Sequence, residues 1–146
     1  MALSTSNTQI YTRGMIRILI IDHHDLVRMA LETRLSTAVG LEIIGSTSEY
    51  KEAIQKALRL RPDVILLETK APNGIKTLET LVENLPQSVI LILTSYPDSK
   101  EEDTTRHLGA SRYLLKTLNT KALVQEIRNS VRQDQDAVHP PVPAVA

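Results

Sequence analysis

Four short segments of this 146-residue chain carry the side chains best able to do chemistry: Asp22-His23-His24-Asp25, Glu68-Thr69-Lys70-Ala71-Pro72, Thr94-Ser95 and Lys116. They offer carboxylates at Asp22 and Glu68, a hydroxyl at Thr94 and an ammonium at Lys116, a set for ionic and hydrogen-bonding work. Cys is absent, which excludes thiolate chemistry, disulfides and Cys-based zinc or iron–sulfur sites. Taken singly, each residue has an ordinary role: Asp after a strand caps a helix, Thr there turns the chain, and Lys is an exposed charge. The His23-His24 doublet suggests a metal, but adjacent residues leaving a strand point opposite ways. They are therefore expected as two separate turn histidines, not as a chelating pair.

What positions these residues is a regular alternation along residues 15–133. Apolar or β-branched runs at Arg17–Asp22, Leu41–Ser46, Asp63–Glu68, Ser88–Leu93 and Ala110–Leu115 read as strands, three of them buried on both faces. Helical spacing lies between them. It uses Leu26, Val27, Ala30, Leu31, Leu35 and Ala38, then Ala53, Ile54, Ala57 and Leu58, then Ile75, Leu78, Leu81, Val82 and Leu85. The last helix uses Leu123, Ile127 and Val131, with Asn119 as its N-cap. Gly40 and Gly109 stand where helices should stop, and Pro62 and Pro86 mark returns into strands. Strict alternation with short connections predicts an α/β fold: a three-layer, doubly wound, five-stranded parallel sheet of order 2-1-3-4-5, flavodoxin-like. In such a sheet ligands sit at the carboxyl ends of the strands, near the switch between strands one and three. Asp22, Glu68, Thr94 and Lys116 are all at such ends, and their coincidence is far harder to dismiss than any one of them.

Composition narrows the function. Lys plus Arg and Asp plus Glu both number 17, so no global field recruits nucleic acid or an anionic membrane. Phe and Trp are absent, which argues against stacking platforms for bases. No apolar run is long enough to span a membrane, and Met1–Gly14 has no secretory apolar core. A flexible extension is expected over residues 1–14 and a Pro-rich tail over 134–146, flanking one domain at 15–133.

The chain resembles the receiver domains of bacterial response regulators, CheY-like and nearest to receivers of the LuxR/NarL type. IRILIIDHHDLVRMAL is similar to their first strand, acidic turn and first helix, and RPDVILLETKAP to the strand and loop of the phospho-acceptor. VILILTSY resembles the fourth strand with its hydroxyl residue, and HLGASRYLLKT the fifth with its aromatic residue and lysine. The resemblance implies a two-component phosphorelay module in the cytoplasm, not an enzyme, that meets a histidine kinase or a downstream signalling protein and leaves a homodimer open. Balanced charge and the lack of a long apolar run set the expectation of no direct nucleic-acid contact by this chain and no membrane. The resemblance places Glu68 at the phospho-acceptor position and Asp22 and His23 at the acidic pocket. Thr94, Lys116 and Tyr113 fall at the phosphoryl-stabilising and switch positions.

Three departures carry weight. His23 replaces an acidic residue, Glu68 replaces Asp, and the loop Thr69–Gly74 is about two residues short. The extra methylene of Glu moves its oxygens by about 1.5 Å, and an error of about 1 Å in a near-attack geometry can cost about a hundredfold. Imidazole removes a charge and offers Mg²⁺ a nitrogen it disfavours. The expectation is a pseudo-receiver that keeps the fold and a signalling surface, has no cofactor, and binds Mg²⁺ only weakly, through Asp22. Glu68 either mimics the phosphorylated acceptor by reaching Lys116 or has drifted. The alternatives are a working phosphoryl-accepting receiver that uses Glu68 or a non-standard metal, or the first part of a DNA-binding regulator. A flavin carrier fails, because Asp-His-His-Asp makes no phosphate cradle. The stretch Asp98–His107 has no aliphatic or aromatic side chain, so the fourth helix is expected to be short or irregular, with Asp98 or Ser99 as its N-cap.

Overall fold

The computed structural model describes residues 14–138, with side chains described through residue 132. Five strands, β1 (Ile16–Ile21), β2 (Leu41–Thr47), β3 (Val64–Leu67), β4 (Val89–Thr94) and β5 (Arg112–Leu115), alternate with five helices. These are α1 (Asp25–Ser36), α2 (Tyr50–Leu60), α3 (Gly74–Asn84), α4 (Ser99–His107) and α5 (Thr120–Val138). All ladders are parallel and the order is β2-β1-β3-β4-β5, as the alternation predicts. The β1–β2 register slips by one residue between Ile18 and Leu19, leaving Ile44 without a partner.

The strands' period of two sorts the core into layers. Ile18 and Ile20 face one side with Leu31 and Leu35 of α1 and Leu123 and Ile127 of α5. Leu19 and Ile21 face the other with Ala53 and Ala57 of α2 and Leu78 and Leu81 of α3. Both faces of β1, β3 and β4 are covered, which is why these strands read as continuous apolar runs.

Helix α1 corrects part of the expected stripe. Leu31 and Leu35 are buried and Val27 half-buried, whereas Leu26 is 81% exposed and Ala30 faces solvent. Only the i, i+4 row through Val27, Leu31 and Leu35 fits the narrow contact with the sheet. Leu58 of α2 likewise turns outward. Asn119 caps α5, its side chain accepting from the Ala122 amide. Gly109, at φ +117, sits just past the α4 cap, as expected. Gly40, at φ +85, instead makes the turn into β2, three residues beyond the α1 cap at Thr37.

Helix α5 runs through Val138, so residues 134–138 are helical and the expected boundary at 133 falls too early. Nothing there breaks a helix; the first proline is Pro140. Residues 1–13 of the expected extension and 139–146 of the tail lie outside the described residues. Helix α4, at nine residues the shortest, is nevertheless regular α-helix. Asp98 caps it, accepting from the amides of Lys100 and Glu101, and Thr105 is the one residue of α4 that is fully buried. No described helix is long and apolar enough to cross a membrane.

Candidate functional site

The backbones of three site residues are fixed by the sheet itself. Each parallel ladder continues one residue past the strand: Asp22 N donates to Thr47 O, Glu68 N to Ile21 O and Lys116 N to Thr94 O. The side chains of Asp22 and Glu68 therefore leave the neighbouring strands β1 and β3, and that of Lys116 comes from the end of β5, with β4 between. Arg34 of α1 secures the segment after Lys116, donating to the carbonyls of Lys116 and Leu118 and to the Thr120 hydroxyl.

Lys116 Nζ lies 2.7 Å from Asp22 Oδ2 and 2.8 Å from Glu68 Oε1. All three side chains are at most 5% exposed. The shared ion pair is thus buried, with little solvent to screen it. The remaining carboxylate oxygens are engaged as well. Asp22 Oδ1 accepts from the His24 amide at 2.9 Å, and Glu68 Oε2 accepts a short hydrogen bond from the Lys70 amide. Tyr50 donates to the Glu68 carbonyl at 2.6 Å. Burial, with the nearby Glu68 and Asp22 charges, pushes its phenol well above the usual range.

The doublet His23-His24 departs from expectation. Asp22 Oδ1 holds the His24 amide across a bend at His23, so the two side chains do not alternate as along a strand. The two rings meet at a tilt of 40°, with centroids 3.9 Å apart, and His24 Nδ1 stands 3.2 Å from Asp22 Oδ1. Both imidazoles line a cleft of about 480 Å³ with Glu68, Lys70, Pro72 and Tyr96.

Thr94 is buried, but its hydroxyl closes its own loop, donating to Tyr96 O and accepting from Tyr96 N at 3.2 Å each. Tyr113 turns to α4. It donates to Glu101 Oε1 and accepts from the Asp98 amide at 3.1 Å. Glu101 also takes the Thr69 hydroxyl at 2.8 Å and Lys70 Nζ at 2.6 Å. Burial raises the Glu101 carboxyl, but donation from Lys70, Tyr113 and Thr69 outweighs it and holds the group below its ordinary value. Burial and the Glu101 bond push Tyr113 up to about 12. No spacing signal in the sequence ties Glu101 to Lys70 or Tyr113, and only the fold brings them together.

The short loop is real and tight. Gly74 N donates to Ala71 O at 2.9 Å, and a Cβ on Gly74 would fall 2.3 Å from the Thr69 carbonyl oxygen. Mg²⁺ does not fit this arrangement. The ammonium of Lys116 already bridges the facing carboxylates of Asp22 and Glu68, and the outer side offers one carboxylate oxygen among imidazoles in the cluster found among the described residues.

Residues 18–128 match the family described as the response regulator receiver domain. The response regulator protein VraR of Staphylococcus aureus is 34% identical over 119 residues, spanning 80% of this chain and 57% of that protein. The chain thus spans little over half the length of such curated relatives. Among solved structures, a LuxR-family two-component response regulator from Aurantimonas aligns with TM-score 0.76 at 23% identity, covering 82% of this chain and 86% of that one. A CheY-like receiver domain protein from Methanospirillum hungatei aligns with TM-score 0.75 at 21% identity, covering 84% and 98%.

Proposed function

The chain belongs to the response-regulator receiver family and is a receiver domain of a two-component regulator; from that premise we propose that it is an atypical receiver, not phosphorylated at the usual position, which acts through protein contacts in the cytoplasm. The observation that supports this reading is the ion pair of Lys116 with both Glu68 and Asp22. A phosphoryl group arriving at Glu68 needs the lysine for its own oxygens and a cation on the acidic side. Here the lysine is committed to the carboxylate, and the second acidic ligand is His23.

The same contact makes Glu68 a standing substitute for a phosphorylated acceptor, since an anion already engages Lys116. Its partners are a histidine kinase or a downstream signalling protein, with a second copy of the chain as a further option. Nucleic-acid contact is assigned to no element of this chain, whose charges balance.

Incubation with acetyl phosphate and Mg²⁺, read by intact mass, tests the reading, together with beryllofluoride binding read by fluorine NMR. The expected results are no added mass and no bound beryllofluoride. Stoichiometric phosphorylation at Glu68 overturns the proposal.

A further inference from the structure

The ion-pair cluster leaves a charge uncancelled. Asp22 and Glu68 are both buried and share the one ammonium of Lys116, while Lys70 is drawn off to Glu101 and Arg28 is taken by Asp25 and the Asp22 main-chain carbonyl. One net negative charge therefore remains at the strand ends, and buried charges are costly unless compensated. On the outer side of Asp22 two imidazoles stand within reach of its carboxylate.

Their placement fits a metal. One ligand atom each from Asp22, His23 and His24 lies within 4.8 Å of the others. In a tetrahedral site with bonds of about 2.0–2.1 Å, ligand atoms stand about 3.3 Å apart. The 3.2 Å between His24 Nδ1 and Asp22 Oδ1 already matches that edge. His23 and His24 are exposed, so rotation of the His23 ring can close the third corner without moving the backbone. Asp22 Oδ1 has a second lone pair beside the one that takes the His24 amide. The fourth position faces the cleft.

We propose that Asp22, His23 and His24 form a site for a divalent ion of the zinc, copper and nickel class, with one coordination position open to the cleft. Imidazole nitrogen suits those ions, whereas Mg²⁺ requires oxygens that this side of Asp22 does not provide. The site is independent of whether Glu68 accepts a phosphoryl group, because the ion lies beyond Asp22 from Lys116. A bound ion would fix the β1–α1 loop, and its open position would accept an oxygen or nitrogen donor from whatever enters the cleft.

The test is Zn²⁺ titration of the tag-free chain by calorimetry after chelator dialysis, with Cu²⁺ spin resonance as a second readout. The expected result is one ion per chain, with a copper spectrum showing nitrogen ligation. His23→Asn and His24→Asn should each weaken binding at least tenfold. His107→Asn and His139→Asn, at the remaining two histidines, should leave it unchanged. Excess Mg²⁺ should not compete. No binding, binding unaltered in the His23→Asn/His24→Asn double variant, or full competition by Mg²⁺ each overturns the proposal. His23, His24 and His107 are exposed, and circular dichroism of each variant separates loss of a ligand from loss of fold.

Discussion

Lys116 Nζ stands 2.8 Å from Glu68 Oε1, and the same nitrogen stands 2.7 Å from Asp22, so one buried cation serves two buried anions. The cluster is therefore asymmetric. Removing the cation strands two carboxylates, whereas removing one carboxylate leaves a balanced pair.

Lys116→Met should accordingly cost about 3–5 kcal/mol of stability, the range for breaking a buried ion pair from one side. Glu68→Gln should cost less, about 1–3 kcal/mol, since Asp22 keeps its partner. Urea unfolding monitored by circular dichroism gives both values, and equal losses would contradict the shared-cation description.

Glu68→Asp combined with His23→Asp should restore measurable Mg²⁺ binding and labelling by acetyl phosphate. Shortening residue 68 withdraws its oxygens from Lys116, and the new carboxylate supplies the missing hard ligand. The gain should remain partial, because the Thr69–Gly74 loop stays short. Intact mass against Mg²⁺ concentration checks it.

The polar bridge at Glu101 should make stability fall in acid. Its carboxyl is held below the ordinary value of 4.5. The stabilisation is present in full above that pH and is lost as pH falls through the lowered folded value. Urea midpoints from neutral to acid pH should fall more steeply for the native chain than for Glu101→Gln, and the two should converge at the acid end.

Hydrogen exchange should place α4 among the less protected helices, since Thr105 alone is fully buried. Glu101→Ala should speed exchange further in residues 99–107 and in the 69–73 loop, about tenfold for a loss of about 1.4 kcal/mol. Acceleration spread evenly over α2 and α3 would show that Glu101 supports the whole domain instead.

Gly74→Ala should destabilise by about 1–3 kcal/mol, as overpacking does, because the added methyl meets the Thr69 carbonyl at 2.3 Å. The loop must shift to admit it, so the Thr69 and Lys70 contacts to Glu101 should weaken together. Amide chemical shifts of residues 69–74 and 99–101 report both.

The sheet was legible because buried parallel strands leave an unmistakable mark: Val64–Leu67 and Val89–Thr94 are almost unbroken apolar runs. The convergence of Asp22, Glu68 and Lys116 followed from strand order alone, and the register fixed the rest. The turn after β1 was not legible. Whether His23 and His24 diverge depends on one side-chain-to-backbone bond from Asp22, which no periodicity encodes. Helix α4 is short, as its polar stretch implies, yet regular, because its hold on the domain is polar, through Glu101 and the Asp98 cap, and polar contacts have no period.

Arg34 gives the molecule one point of fragility within a robust stretch. Two of its three acceptors are main-chain carbonyls, those of Lys116 and Leu118. Carbonyl acceptors are present whatever residue occupies the position, so a substitution at Thr117 removes neither acceptor and leaves α1 tied to the start of α5. All of that tolerance depends on a single guanidinium. Lysine in its place keeps the charge but lacks the planar fork that reaches three acceptors at once, so a substitution that looks mild on paper would free the whole segment leading out of the site.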